Sequence, residues 1–561
     1  MRRVLPIVML LVVLLVTGCA DLARLLPAED ELAEPQAAYT APTPESFPPA
    51  ITTAARIRER GQLLVGIRYD LEPFSYIATD GAPAGLEVDL ARELARRWLG
   101  DPDAARFRQV RSDTALQHLQ QGDVDIVLAG IVHTQQAESG GDFSPPYFMD
   151  GLALLTFPDA GIGGVSDLGG HKVGVVNRNG ILPDLETMGP VTTTYVAYDD
   201  FFQVVEALRT RQIDVYADQY HRLERARRMV AGTLIVGQLT FEPVALMYRE
   251  NDPFFANLVA CTFQDMAIDG TRDALYTRWL PDTSPPTIPN WAGTVPTPAL
   301  ADSPQERYAG NLIAGIRERG VLEVGYFPDR WPYSADRDDG VQTGFEVRLL
   351  ERMVERWLGS RQAITFVPVT EATAFQQLEN GDLDMLVGGW VHTRDAEAHV
   401  DFSLTLFDDG VSILSLSTAS LQTPAELAGQ PVGVIAGSDG QAVAPTIGCN
   451  AIPYPDRDTA VTALQQGEVV ALLAERLYLL EPLYRQEGFF LTDARCTSRP
   501  VAYVLPQGDS AFRDLVNLTL ATLRADGTFA DLYTAWFDDP LPAQAPWPGN
   551  PVIPLNLNAL P

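Results

Sequence analysis

Residues 57–174 of this chain return as 316–433 at a constant offset of 259, with no gap between. Ile57 to Gly61 (IRERG) recurs as Ile316 to Gly320, Trp98-Leu99-Gly100 as Trp357-Leu358-Gly359, and Asp142-Phe143-Ser144 as Asp401-Phe402-Ser403. Solenoid units run to roughly 20–50 residues, so a period this long is a duplicated whole domain. A chain of 561 residues holds about two to four domains, and the duplication makes two of them large. What one half does, the other does in some version.

Each half alternates strand and helix. Leu63 to Ile67 reads as a short apolar strand after a helix that stops at Gly61. Leu86, Leu90, Leu94 and Trp98 fall on one helical face. Asp125 to Ala129 and Lys172 to Val176 read as buried strands. Strands separated by helical stretches imply parallel sheets with crossover helices, so each half is α/β, and large enough for two lobes. Between and around the halves lie stretches that cannot carry a core: a tether at 20–53, a Pro-rich linker at 281–310 and a Pro-rich tail at 539–561. The folded domains are then 54–280 and 311–538.

The net charge of −32 argues against nucleic acid and anionic membrane surfaces as partners, because both want basic patches. Arg2-Arg3 followed by the apolar run Leu5 to Val16 reads as a targeting signal, too short for a span of ~20 residues. It ends in Val16-Thr17-Gly18-Cys19, which resembles the lipobox of bacterial lipoproteins. That resemblance implies that 1–19 is a signal peptide, that Cys19 is acylated, and that the protein sits outside the cell membrane, touching it through lipid alone. Of the remaining cysteines, Cys449 and Cys496 share one region of the second half and are expected to form a disulfide, leaving Cys261 a buried free thiol. No cysteine or histidine spacing reads as a metal site, and no cofactor is expected.

Six landmarks in order, present in both halves, resemble the extracellular solute-binding proteins of family 3, the amino-acid-type receptors of ABC importers. In the first half they run from Ile57–Gly66 through Pro73-Phe74, Gly85–Leu90, Gly122–Gly130 and Asp142–Tyr147 to Ser166–Gly174. The resemblance implies two tandem type II periplasmic-binding-protein modules. Each has two α/β lobes, a hinge and a central cleft that closes on a small polar, amine-bearing, amino-acid-like solute, delivered to an ABC permease. It implies no enzymatic activity. Two other readings stand beside it: a sensor or scaffold lipoprotein with degenerate clefts, and a periplasmic cyclic-amino-acid dehydratase on the same fold.

The family clamps the solute carboxylate with an arginine three residues after the threonine that precedes the DFS segment. Here Ala137 and Ala396 stand at those places, so both copies lack the bidentate fork that suits a carboxylate. Arg68, Arg178, Arg330 and Arg394 are the available substitutes. The resemblance places Gly130, Thr134, Gly389 and Thr393 at the clefts, with the loop Arg178-Asn179-Gly180 and its partner Ser438-Asp439. Asp218 and Glu475 match the family's amine anchor. Phe74, Trp331 and Tyr333 stand where an aromatic walls the ligand, and Asp70 and Asp329 match each other near the Pro-aromatic turn. His133 and His392 precede the threonines and are expected to be satisfied hydrogen-bonding residues at the cleft edge.

Overall fold

The structure is a computed structural model and describes residues 52–138, 140–177, 181–286, 312–419, 421–485, 488–492 and 494–537. Cys19, the tether as far as residue 51, the tail and most of the linker lie outside them, as do Arg178, Asn179 and Gly180; Thr52 and Thr53, expected to end the tether, are buried at the start of the first helix instead. Among the described residues no helix is long and apolar enough to cross a membrane.

The first half opens with the helix Thr53–Arg60, capped by Thr52 and ended by Gly61 at φ 65°. Leu63–Ile67 follows and lies between Ala105–Gln109 and Ile126–Leu128, all parallel. Met247–Tyr248 then adds antiparallel, and Asp142–Phe143 closes the five-stranded edge. The helix Leu86–Leu99 buries Leu86, Leu90 and Leu94 on this sheet together with Phe255 and Phe263. Trp98 tethers it by donating Nε1–H to Thr262 Oγ1 at 3.0 Å.

The chain leaves this lobe through Phe148–Asp150 and builds a second sheet in the order Thr194–Tyr198, Lys172–Val176, Val215–Gln219, Leu152–Thr156, Leu234–Val236. It returns through Glu242–Val244, which pairs antiparallel with Phe148–Asp150. That two-stranded crossover is the frame on which the two lobes are hung.

The second half repeats the plan strand for strand: Leu322–Tyr326 between Ile364–Pro368 and Met385–Leu386 in the first sheet, Ala471–Glu475 at the centre of the second, and Phe407–Asp408 against Pro500–Val501 as the crossover. The bilobal α/β architecture expected from the sequence is present twice. Trp357 Nε1 reaches Thr519 Oγ1 at 2.8 Å, as Trp98 reaches Thr262. Cys261 is buried as expected, in the helix Pro253–Ile268, and burial pushes its thiol up to about 11. The expected Cys449–Cys496 bridge is not formed. Both thiols pack on the cluster around Val411 and Leu473, but Cys449 Sγ turns to the helix carbonyl of Ala444 at 3.6 Å instead.

The halves also touch each other, through groups with no apolar disguise. Asn251 N–H donates to Ser510 Oγ and Ser510 N–H to Asn251 Oδ1, both at 2.9 Å. Ser510 Oγ donates to Asp142 Oδ2 at 2.9 Å, and Asn257 Nδ2 donates to the Glu397 carbonyl at 2.7 Å. Arg513 of the second half pairs with Asp142 of the first and lies 3.8 Å from Asp401 of its own. Arg394, one of the arginines available to replace the missing clamp, is committed here. It donates to Gln264 Oε1 at 3.0 Å and Asp265 Oδ1 at 2.8 Å, so it faces the other half and not a cleft.

Candidate functional site

Between the lobes of each half, three sources of side chains converge: the Pro-aromatic turn of the first lobe, the crossover pair, and the strand ends and helix starts of the second lobe. The turn sits on a three-stranded antiparallel ribbon, Asp70–Leu71, Ser75–Ile77 and Pro83–Ala84 in the first half. Gly85, at φ 126°, has the Phe74 carbonyl where a Cβ would stand, so no other residue lets the ribbon close on the helix.

Directly behind the turn lies a buried carboxylate that sequence reading did not assign. Glu87 accepts from Gly130 N–H at 2.6 Å, from Ser75 Oγ–H at 2.5 Å and from Tyr147 O–H. Glu346 does the same work in the second half, accepting from Gly388 N–H at 2.6 Å and Gly389 N–H at 2.9 Å. Gly130 and Gly389 are therefore held from behind by an acid, which fixes the backbone they present. Burial pushes Glu346 up to about 7, against the pull of the two glycine N–H groups.

Thr134 and Thr393 accept from Ala137 N–H and Ala396 N–H, each at 3.2 Å, and so cap the short helices at 135–138 and 394–397. The residue after each alanine turns inward. Glu138 bonds His133 Nε2 and Glu397 bonds His392 Nε2, each at 2.7 Å. The imidazoles stack on Phe143 and Phe402 with centroids 4.2 and 4.3 Å apart. Each imidazole thus holds a glutamate through Nε2, and both rings are buried, near Arg513 in the first half, and not at an open cleft edge. Among the described residues one group of acid oxygens, from Glu138, Asp142 and Asp514, lies within 4.8 Å; the Arg513 guanidinium on Asp142 already brings positive charge there.

Several expected ligand contacts are moved by the structure. Phe74 is 1% exposed and packs on Phe148 at 4.8 Å, so it is core and walls nothing. Its counterpart Tyr333 is different: its ring lies parallel to Phe407, and its hydroxyl donates to Asp409 in the crossover. Trp331 is exposed and rests on Trp536 of the last helix, away from the opposing lobe. Asp70 is bound to Arg68 through two hydrogen bonds of 2.9 and 3.0 Å. Asp329 is exposed on the ribbon, while the neighbouring Arg330 pairs with Glu371 and lies 3.5 Å over the Phe327 ring.

The amine anchor needs a change of register. Opposite Leu152 stands Gln219, and opposite the matching Val411 stands Glu475. Glu475 thus corresponds to Gln219, and Asp218 to Ala474. Asp218 is sealed inside its lobe, accepting from Tyr216 O–H and, at 2.8 Å, from Gln219 N–H. Burial raises its pKa, opposed by Arg222 and the tyrosine bond. It does not face the cleft.

The same pairing exposes what sequence reading missed. Glu242 stands opposite Asp150 in the first crossover, and Arg499 stands opposite Asp409 in the second, receiving the Asp409 N–H on its carbonyl at 2.9 Å. In the first half Asp150 accepts from His221 Nδ1 at 2.6 Å, and burial raises Glu242, with Asp150 adding to it. In the second, the Arg499 guanidinium lies 3.6 Å from Glu475 and 3.7 Å from Asp439. Burial opposes its charge, but Tyr333, Asp409, Glu475 and Asp439 together outweigh that and raise it. Ser438 caps the helix that Asp439 begins.

Comparison with known proteins gives one family. The profile of the bacterial extracellular solute-binding proteins, family 3, matches residues 63–282 and again 322–539. The ABC transporter glutamine-binding protein GlnH of Bacillus subtilis (strain 168) is 26% identical over 231 residues, covering 41% of this chain and 84% of its own. The L-cystine-binding protein TcyJ of Escherichia coli (strain K12) is 28% identical over 231 residues, covering 40% and 84%. Among solved structures, an ancestral cationic amino acid solute-binding protein is 24% identical with a TM-score of 0.37, covering 40% of this chain and 100% of that one.

Proposed function

Because this chain belongs to the bacterial extracellular solute-binding proteins of family 3, we propose that it is a lipid-anchored tandem receptor that presents an amine-bearing, amino-acid-like solute to an ABC permease. The family's members bind small molecules and work with ABC permeases outside the cytoplasm. The observation that supports the reading most is the convergence in the second half. Tyr333 from one lobe, Arg499 and Asp409 from the crossover, and Glu475 and Asp439 from the other lobe meet at one place. A solute lodged there touches both lobes, and the chain passes between them through a two-strand crossover, so binding favours a closed arrangement over an open one. Relatives named for glutamine and cystine point to an amino-acid-like ligand.

The test is extraction of the purified full chain by denaturation, with mass spectrometry of what is released, alongside melting in the presence of each standard amino acid and common polyamines. A stoichiometric small solute, or a rise in melting temperature with one of the panel, is expected. If nothing is released and no compound moves the melt, the receptor reading falls, and the scaffold reading, which Ala137 and Ala396 favour, replaces it.

Anchoring rests on the Val16-Thr17-Gly18-Cys19 box and the Pro-containing tether after it. In cells fed a fatty-acid analogue, the full-length protein should take up label, and Cys19→Ala should abolish it. Equal labelling of the two would remove lipid from the account.

A further inference from the structure

The two crossovers carry opposite charge at the same position. In the first half the pair at the strand end and the crossover is Gln219 and Glu242; in the second it is Glu475 and Arg499. The halves differ at both members, and in the second an acid faces a cation between the lobes.

Arg499 lies between the crossover and the second lobe, beside Glu475 and Asp439. Its side chain is 26% exposed, yet among the described residues its guanidinium makes no hydrogen bond. Its nearest acids, Glu475 at 3.6 Å and Asp439 at 3.7 Å, stand beyond hydrogen-bond length. Asp409, the third acid nearby, is already taken by Tyr333 O–H and by Leu477 N–H at 2.8 Å. Arg68, Arg330 and Arg394 are by contrast each bonded to an acid. A planar fork with unused donors, largely withdrawn from water and reached from both lobes, is what a carboxylate fits.

We infer that Arg499 is the carboxylate clamp of the second cleft and that Glu475 and Asp439 receive the ammonium, so that this cleft takes a zwitterionic α-amino acid. This rests on the receptor reading above and adds the residue and the charge pattern of the ligand. The spacing supports it: the acids lie under 4 Å from the guanidinium, which suits a molecule whose ammonium and carboxylate sit on one carbon. Charge supports it too. A zwitterion adds no net charge to one cation and two acids, a dicarboxylate meets those acids, and a plain cation meets Arg499. The clamp lost at residue 396 is replaced from the crossover. The first cleft offers Glu242 at that place and does not select for a carboxylate there.

Calorimetry of the full chain against the standard L-amino acids, and against the decarboxylated amine of each one that binds, tests this. L-Arginine with agmatine is one such pair. Arg499→Ala should weaken amino-acid binding at least about thirtyfold while changing affinity for the matched amine far less. Arg499→Lys, which keeps the charge and loses the fork, should fall between. Far-UV dichroism and melting of both variants establish that they fold. Amino-acid binding unchanged in Arg499→Ala overturns the inference and leaves the receptor reading standing, as does equal loss of acid and amine. Absence of any amino-acid binding by the unmodified chain overturns the inference, and the receptor reading is then decided by the extraction and melting test above.

Discussion

Replacing Arg513 with alanine is expected to destabilise the contact between the two halves by roughly 3–5 kcal/mol, the scale of removing one partner from a buried ion pair. The side chain is 17% exposed and pairs with Asp142, which is 1% exposed, with Asp401 near by. Glu138, Glu250, Asp514 and Glu397 press on the same space, and the Arg513 charge pulls the pKa of each of them down against burial. His133 and His392 are held neutral by burial, and Arg394 is occupied by Gln264 and Asp265. Without Arg513 the carboxylates are left uncompensated across the seam.

The pH dependence follows from the same groups. Burial pushes Glu397 and Asp401 up to about 8 and Glu250 up to about 9. Each takes up a proton on folding, so its favourable share is complete below the ordinary carboxylate range. That share is lost as pH rises through about 8 to 9. The seam should therefore be firmer at pH 5.5 than at pH 9, and the cost of Arg513→Ala should grow over that interval as the acids ionise. Denaturant unfolding of wild type and variant at both pH values measures it. A variant indistinguishable from wild type at pH 9 would mean that the seam is open in solution. The fragments 54–282 and 308–540, which the linker composition suggests as separable units, each expose one side of it.

How far the sequence could be read depended on where the duplication stays in register. The offset of 259 holds to residue 174, and within that span helices, strands and the Pro-aromatic turn fall where their patterns put them. Beyond it the second lobe loses residues, and Gln219 answers Glu475 at a smaller offset. That slip made Asp218 look like the partner of Glu475, although one sits in a lobe interior and the other faces Arg499. The signal that finds Arg499 is in the chain nevertheless: Pro243-Val244-Ala245 returns as Pro500-Val501-Ala502, which sets Glu242 against Arg499. Phe74 could not be told from Tyr333 by spacing alone. The difference is one hydroxyl, which lets Tyr333 reach Asp409 while Phe74 sinks into the core. The role of Arg394 was illegible for another reason, since its partners Gln264 and Asp265 belong to the other half.

The second large effect is expected at Glu346, where stability and the cleft share one group. Its two oxygens accept from the N–H groups of Gly388 and Gly389, in a turn whose φ values of 121° and 73° require glycine. Glu346→Ala leaves two buried donors without a partner and opens a void, at a cost of roughly 2–5 kcal/mol. Glu346→Gln keeps the shape but offers a single accepting oxygen and points its NH2 at the second donor, costing about 1–3 kcal/mol. Burial holds the folded pKa near 7, so wild type loses stability as pH rises from the ordinary carboxylate range through about 7. Glutamine has no proton to lose. The gap between wild type and Glu346→Gln should accordingly narrow from pH 5.5 to pH 8 in guanidinium melts, and a constant gap would mean that the carboxyl does not titrate there. The damage reaches the cleft as well. A Cβ at Gly389 would lie 2.7 Å from the Tyr333 ring, so the turn that Glu346 pins is the surface against which Tyr333 is set. Loosening that turn frees the tyrosine whose hydroxyl holds Asp409, and Asp409 then competes with the solute for Arg499.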